Sequence, residues 1–513
     1  MNPIVMNLAA FLREEGAPAS ARTGTLLLAA VIAAAMAFRL WLMAATDFPI
    51  NDGALFYEFV RGTAASFPGL PARVDYNGFS LPFAYPPLSF WIGALLTKGG
   101  VDALDVVHLL PIVMNIGYVL LIALLLLKGG RTRIFTALAL LFFCMRLRSF
   151  EWLVMGGGLS RGLGSIFLIA VLLAVTVPAP GRRPELPHWR MALGGAFVAG
   201  AILSHLEWGV LAAASLVTSR ALGARSIKEF VLQSLIAGTT AIALVIPWLL
   251  FVYRIHGLEP FFAAGGTSSW NFLTSIISLL ELARPAIANP FILLGGLVLL
   301  IRRDLFWIAF VLLCIFLTPR HAPTPLALPL AIFAAQGVLT ARGIAQRFVR
   351  SRLVVAGALA GAIALITTVN TYRQYGGTDG QFRPLPGELR EAMAWVRENH
   401  AGASFAVLNR AIWYYDGTAE WFPTLAQARS TTTVQGREWL TNNAFERART
   451  AESELQHSQS CTEVLERLRP FGASDFIWAE TMQHCFGAPA FTRVFLNTRV
   501  TIFRVNSSAA PEA

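Results

Sequence analysis

Ten stretches of apolar residues, most about 20 long, punctuate the first 371 positions of this chain, and clusters of basic residues separate many of them. A run of that length matches the hydrocarbon thickness of a bilayer at the helical rise, so each run reads as a helix crossing a membrane. The runs lie at about 25–45, 105–128, 134–150, 161–178, 191–219, 230–253, 285–301, 305–318, 324–340 and 353–371. The stretch 191–219 is too long for one crossing and is interrupted by Ser204-His205-Leu206-Glu207. Split there into two short helices, it brings the number of expected spans to eleven.

Basic residues test that count. With the N-terminus in the cytoplasm, the clusters Lys128–Arg133, Arg182–Arg190, Arg220–Lys228, Arg302-Arg303 and Arg342–Arg352 all fall on the cytoplasmic side. This is the arrangement that the positive-inside rule favours. A miscount by one near the middle puts several of them outside. The charge balance agrees: the chain carries +11 overall, whereas positions 372–513 hold 14 Arg, no Lys and 15 Asp+Glu. The positive charge therefore belongs to the membrane part, which makes a nucleic-acid partner unnecessary. Only 14% of residues are charged and 55% are hydrophobic, which excludes an ordinary soluble or disordered protein. The first run is longer than the apolar core of a signal peptide and no small-residue cleavage site follows it, so it reads as an anchor.

Two segments are expected outside the cytoplasm. One is a loop from about Asp47 to Asp105, whose stretch Leu88–Leu96 is too short to cross and reads as an interfacial helix. The other is the tail 372–513, expected to be a small α/β or α+β domain. Its helical patterns are Gly387–Asn399 and Thr462–Leu468, and its strand-like runs are Ser404–Leu408, Asp475–Trp478 and Val500–Val505. Cys461 and Cys485 both lie in this tail, as a disulfide or as two unrelated buried thiols.

Polar residues at the outer ends of the spans carry the functional signal. They are Arg146, Arg148, Glu151, Arg161, His205, Glu207, Arg284, Arg320 and His321. Each alone can reach the interface by snorkelling. Together they suggest a water-filled outer cavity with a net positive lining, suited to an anionic ligand such as a lipid phosphate. In the first loop, Asp52 stands just before a helical stretch. Spacing alone makes it the N-cap of that helix; the alternative is a general base facing the cavity. Asp47, Glu58 and Asp75 are lesser candidates. Trp395, Trp413, Tyr414, Tyr415, Trp421 and Trp439 in the tail offer aromatic faces to a sugar, although burial in a core is the commoner fate of such residues.

The loop acid followed by Tyr85-Pro86-Pro87-Leu88-Ser89-Phe90-Trp91 resembles the GT-C superfamily of membrane glycosyltransferases, in particular its protein O-mannosyltransferase and lipid A aminoarabinose-transferase branch. Gly156-Gly157-Gly158-Leu159-Ser160-Arg161, Leu203-Ser204-His205-Leu206-Glu207 and Pro319-Arg320-His321-Ala322-Pro323 resemble motifs of that superfamily, in the same order. Ala394–Asn399 and Glu420-Trp421-Phe422-Pro423 resemble its outer domains. The resemblance implies a plasma (inner) membrane transferase that takes a sugar from a polyprenyl-phosphate carrier to a glycan, lipid or protein acceptor outside. It implies Asp52 as catalytic acid or base, with Glu58 as its nearest substitute partner. Arg320 is the first phosphate ligand, with Arg161, His205, Glu207, His321 and Tyr85 beside it. The sequence departs from the pattern at Gly53, where a Glu often stands, and at Tyr85, where a Lys does. No cofactor is certain; a divalent metal is possible but unsupported, because one Asp followed by Gly is a poor ligand set. A transporter or lipid flippase, or a non-catalytic lipid-binding scaffold of the same fold, are the competing readings.

Overall fold

The computed structural model describes residues 21–175, 186–267, 289–318, 322–375, 382–458, 461–468, 474–480 and 490–506. Among the described residues, an apolar helix overlaps each of the runs read from the sequence. These helices are Ala21–Ala45, Ala103–Lys128, Arg133–Cys144, Gly158–Val175, His188–Ser204, Leu206–Gly223, Ile227–His256, Pro290–Ile301, Leu305–Leu317, Pro323–Phe348 and Arg352–Tyr375. Among the described residues, six helices are long and apolar enough to cross a membrane: Arg22–Ala45, Ala103–Lys128, Gly158–Val175, Ile227–His256, Pro323–Phe348 and Arg352–Val369. The stretch 191–219 does break at His205, whose extended backbone (φ −159°, ψ 121°) ends one helix and starts the next.

The helices divide by how much of their surface the protein covers. Pro323–Phe348 is central, with 89% of its most apolar stretch buried; Arg352–Val369 has only 6% buried and presents Leu353, Val354, Leu365 and Val369 outward. That contrast is what lipid contact produces, because hydrocarbon accepts an exposed Leu at no cost. The centre is packed through glycines. A Cβ at Gly295 would lie 1.8 Å from the Phe333 carbonyl oxygen, and one at Gly337 would lie 2.0 Å from that of Phe291. Backbone therefore meets backbone between Pro290–Ile301 and Pro323–Phe348. Inside the bundle, Arg39 is buried and partnered: its Nε donates to Asn115 Oδ1 at 2.6 Å and its Nη1 to the Ala35 carbonyl at 3.0 Å.

The segment between the first two long helices folds into a helix Ala54–Ser66, a hairpin of β1 (Arg73–Tyr76) and β2 (Phe79–Pro82), and a helix Leu88–Lys98 of 11 residues. The hairpin turns at Asn77-Gly78, both at positive φ, the pair that a tight two-residue turn requires. Asn77 then reaches into the tail: its Nδ2 donates to the Ser430 carbonyl at 2.8 Å, and its Oδ1 accepts from Ser430 N at 2.7 Å.

The tail contains a five-stranded sheet in the order β4-β3-β5-β7-β6, where β3 is Ser404–Leu408, β4 Arg429–Ser430, β5 Phe476–Ala479, β6 Phe491–Leu496 and β7 Thr501–Val505. β3 runs parallel to β4 and β5, whereas β7 is antiparallel to β5 and β6. Its helices are Gly387–Asn399, Gly417–Ala426, Ala444–Gln456 and Cys461–Leu468. One sheet face, with Phe405, Val407, Phe476 and Trp478, shares an apolar cluster with Phe59 and Phe83 of the segment between the first two long helices. The other face, with Ala406, Leu408, Ile477 and Ala479, packs on Leu455 and Val464. The expected Cys461–Cys485 pairing lies outside the described side chains.

Two predictions follow from this packing. Gly337→Leu forces the central helices apart and overpacks the core by more than the usual ~1–3 kcal/mol. Gly361→Ala, on the exposed helix where an added Cβ meets nothing within 4 Å, leaves stability unchanged. Thermal unfolding of the detergent-solubilised protein separates the two; equal melting of both variants contradicts the packing.

The second concerns pH. Burial pushes Asp416 up to about 6, Glu480 to about 7 and Glu452 to about 8. A carboxyl whose folded pKa is raised stabilises fully below its unfolded value and loses that contribution as pH rises through the folded value. Through these groups the tail is expected to be firmest near pH 4 and to weaken by several kcal/mol, at ~1.4 kcal/mol per pKa unit, by pH 9. A melting profile that rises over that range contradicts it.

Candidate functional site

The three residues Asn51-Asp52-Gly53 form a turn with two positive φ values, 55° at Asn51 and 134° at Gly53. Asp52 does not cap the helix that follows it, contrary to what its spacing suggests. Its Oδ1 instead accepts from Gly157 N at 2.8 Å, at the N-terminus of the helix Gly158–Val175. A carboxylate there meets the partial positive charge of an unpaired helix end. Its Oδ2 faces Arg161 Nη2 at 3.3 Å, and the Arg161 guanidinium lies 5.2 Å from the centre of the Trp152 ring.

The glycines make this approach possible. Gly156 N donates to the Ile50 carbonyl at 3.1 Å. A Cβ at Gly156 would stand 2.2 Å from the Asp52 carbonyl oxygen, and one at Gly157 would stand 2.5 Å from Asp52 Oδ2. The same crowding explains Gly53. A side chain there would meet Gly156 Cα and Val107 Cγ1 at 2.9 Å, on a backbone that only glycine adopts without strain.

A cavity of about 1040 Å³ opens beside the turn. Of the residues singled out from the sequence, Asp52, Tyr85, Arg161, His205 and Glu207 line it together. Tyr85 packs edge-on against Phe90 and lies 5.5 Å from the Trp439 ring. Burial pushes its phenol up to about 12, so it serves as a neutral hydrogen-bonding group. Glu58 is not in the lining; its carboxylate faces Arg61 at 3.4 Å, and its pKa is raised by burial. Arg284, Arg320 and His321 lie outside the described residues. Arg148 lines the cavity and pairs with the buried Glu151.

Among the described residues the lining holds Arg148, Arg161 and Arg449 against Asp52, Glu207, Glu420, Glu438 and Glu446. Glu420, Glu438 and Glu446 come from the tail, and no local pattern in the sequence marked them as lining residues. Trp413, Tyr414, Tyr415 and Trp439 also line the cavity, with Tyr415 stacked on Trp152 at 5.2 Å. Trp421 is fully buried, and Trp395 packs on Phe495 at 5.0 Å.

Glu420 is the residue that sequence reasoning missed as part of the site. It sits in the tail helix Gly417–Ala426, buried, and its Oε1 accepts from Gly53 N at 3.0 Å and Leu55 N at 3.4 Å. It thus occupies the N-terminus of helix Ala54–Ser66 that Asp52 leaves open. Burial first, and the Asp52 carboxylate second, push it up to about 8. A divalent ion fits poorly here. Asp52 is committed to Gly157 N and Arg161, Glu420 is committed to two N–H groups, and no cluster of three His, Cys, Asp or Glu occurs among the described residues.

No protein-family model matches this sequence, and no curated protein does. Solved structures do. The archaeal oligosaccharyltransferase AglB from Archaeoglobus fulgidus, in complex with an inhibitory peptide and a dolichol-phosphate, aligns at a TM-score of 0.56 and 12% identity, over 88% of this chain and 69% of that one. ArnT from Cupriavidus metallidurans, bound to undecaprenyl phosphate, aligns at 0.54 and 14%, over 96% and 100%. The arabinofuranosyltransferase AftD from Mycobacteria aligns at 0.50 and 18%, over 96% of this chain and 42% of that one. At such identities the likeness shows the fold alone: this chain shares its architecture with AglB, ArnT and AftD.

Proposed function

We propose that this protein is a membrane glycosyltransferase that moves a sugar from a polyprenyl-phosphate carrier to an acceptor on the outer side of the plasma (inner) membrane. In this reading residues 1–371 form the membrane part, with a cytoplasmic N-terminus, and 372–513 the extracytoplasmic domain. The observation that carries it is the Asp52–Arg161 pair at a roomy cavity between the outer loop and the tail. The polyprenyl phosphates bound by two proteins of the same fold support it. So does the gathering of the polar residues at one cavity, where a transporter needs a path through the bilayer.

The chemistry follows from the pairing. Arg161 holds Asp52 Oδ2 in the absence of substrate. A donor phosphate is the stronger partner for a guanidinium and draws Arg161 to itself. Oδ2 is then open to an acceptor hydroxyl, while Gly157 N keeps Oδ1 in place. Asp52 takes the hydroxyl proton as the acceptor oxygen bonds to the sugar carbon. The bond from that carbon to the phosphate oxygen breaks, and its electron pair leaves on the polyprenyl phosphate. Fixed cations next to that oxygen lower the barrier because they need no reorganisation. Arg161 supplies one of them, with Arg320 proposed as another and Tyr85, His205, Glu207 and His321 shaping the pocket around the headgroup.

The test is transfer of label from a panel of polyprenyl-phosphate sugars by protein in lipid bilayers, with membrane extract as acceptor. Asp52→Asn is expected to lower transfer by about 10²-fold or more with unchanged melting; wild-type turnover by this variant refutes the role of Asp52. Saturable lipid-phosphate binding without turnover in the wild type identifies a scaffold instead.

Gly157→Ala tests the geometry while keeping both functional side chains in the sequence. The added methyl group would stand 2.5 Å from Asp52 Oδ2 and 2.9 Å from Arg161 Nη2, so about a tenfold or larger loss in kcat is expected, with weaker donor binding beside it. Unaltered kcat shows that the Gly157 contact does not position Asp52.

A further inference from the structure

We propose that Glu420 is a positioning residue for the Asp52 carboxylate, through which the tail completes the site. The turn is held from two sides. On one, Gly156 and Gly157 bond Ile50 and Asp52. On the other, the tail helix Gly417–Ala426 supplies three contacts to residues 51–55. Glu420 Oε1 takes the N–H groups of Gly53 and Leu55. Trp421 Nε1 donates to the Asn51 carbonyl at 3.2 Å. Gly417 lies so close to that same carbonyl that a Cβ would be 2.6 Å from it.

Glu420 is itself anchored. Tyr76 on β1 donates its hydroxyl to the Glu420 main-chain carbonyl at 2.7 Å, and Thr433 Oγ1 bonds the carbonyl of Ala419. A turn with two positive φ values keeps its shape only when its surroundings over-determine it, and Glu420 provides the side-chain half of that restraint.

The protonation state sets how the clamp works. The charged groups facing Glu420 are Asp52 on the turn and Glu438 beyond the end of its own helix, both acidic; Arg161 lies across Asp52. Below about pH 8 a neutral Glu420 accepts the two N–H groups without adding charge beside Asp52. Above it, a second anion forms next to the base and next to the site of an incoming phosphate.

Two readouts on the full-length protein in bilayers test this. Hydrogen exchange of the 51–57 amides needs no activity, whereas the pH profile of kcat rests on the transferase reading. Glu420→Ala is expected to speed exchange at Gly53 and Leu55 and to lower kcat about tenfold, with donor KM nearly unchanged. Glu420→Gln keeps the acceptor oxygen, so it is expected to retain exchange protection and neutral-pH kcat and to lose the alkaline decline of the wild type. Unchanged exchange in Glu420→Ala overturns the clamp. A Glu420→Gln alkaline limb identical to the wild type overturns the electrostatic half. If the wild type turns over no donor, the function reading fails and the exchange result alone decides the role of Glu420. If Glu420→Ala does not fold, the Glu420→Gln pair of measurements decides it.

Discussion

A contact that admits no side chain governs the site. The turn at Asp52 lies against the main chain of Gly156 and Gly157 on one side and of Gly417 on the other, at distances that leave no room for a methyl group. One oxygen of the Asp52 carboxylate is thereby held by a peptide N–H, which has no rotamers to lose, and the other by Arg161. Side chains that place reacting groups must be held to fractions of an ångström, and a peptide N–H at a helix end meets that demand better than a flexible donor. The cavity, the Arg161 pair and the seat of the tail all take their geometry from this contact.

Both walls of the cavity carry acids. Arg148 and Arg161 stand with Asp52 and Glu207 on the side of the helices and the first loop, whereas Glu420, Glu438 and Glu446 belong to the tail, with Arg449 as their one cationic neighbour among the described lining residues. The first side is balanced and the second acidic, and the aromatic side chains Trp413, Tyr414 and Tyr415 lie on the acidic side.

Much of this architecture was legible in the sequence because it rests on local signals. Apolar runs marked the helices, Ser204-His205-Leu206-Glu207 marked the break, and short strand-like runs marked β3, β5 and β7 within one or two positions. The helix Gly417–Ala426 carries Pro423 in its interior, a residue that ordinarily argues against a helix, and it escaped notice. β6 escaped because it is an edge strand in which only Phe491 is buried. The spacing of Asp52 pointed to the wrong helix end: a cap looks the same in sequence whether the helix follows it in the chain or only in space. Glu420 was visible as part of a motif, but no local pattern ties it to Gly53 across 367 positions. The acidic balance of the lining was hidden for the same reason.

That separation has a consequence for how the protein comes into being. A chain emerging from the ribosome presents Asp52 early and Glu420 several hundred residues later. Until the tail has been made, delivered to the same side as the first loop and folded, the turn at Asp52 lacks one of its two supports. A half-made or truncated chain can insert its helices yet holds that turn from one side only, so the order of synthesis sets when the Asp52 turn takes its final shape.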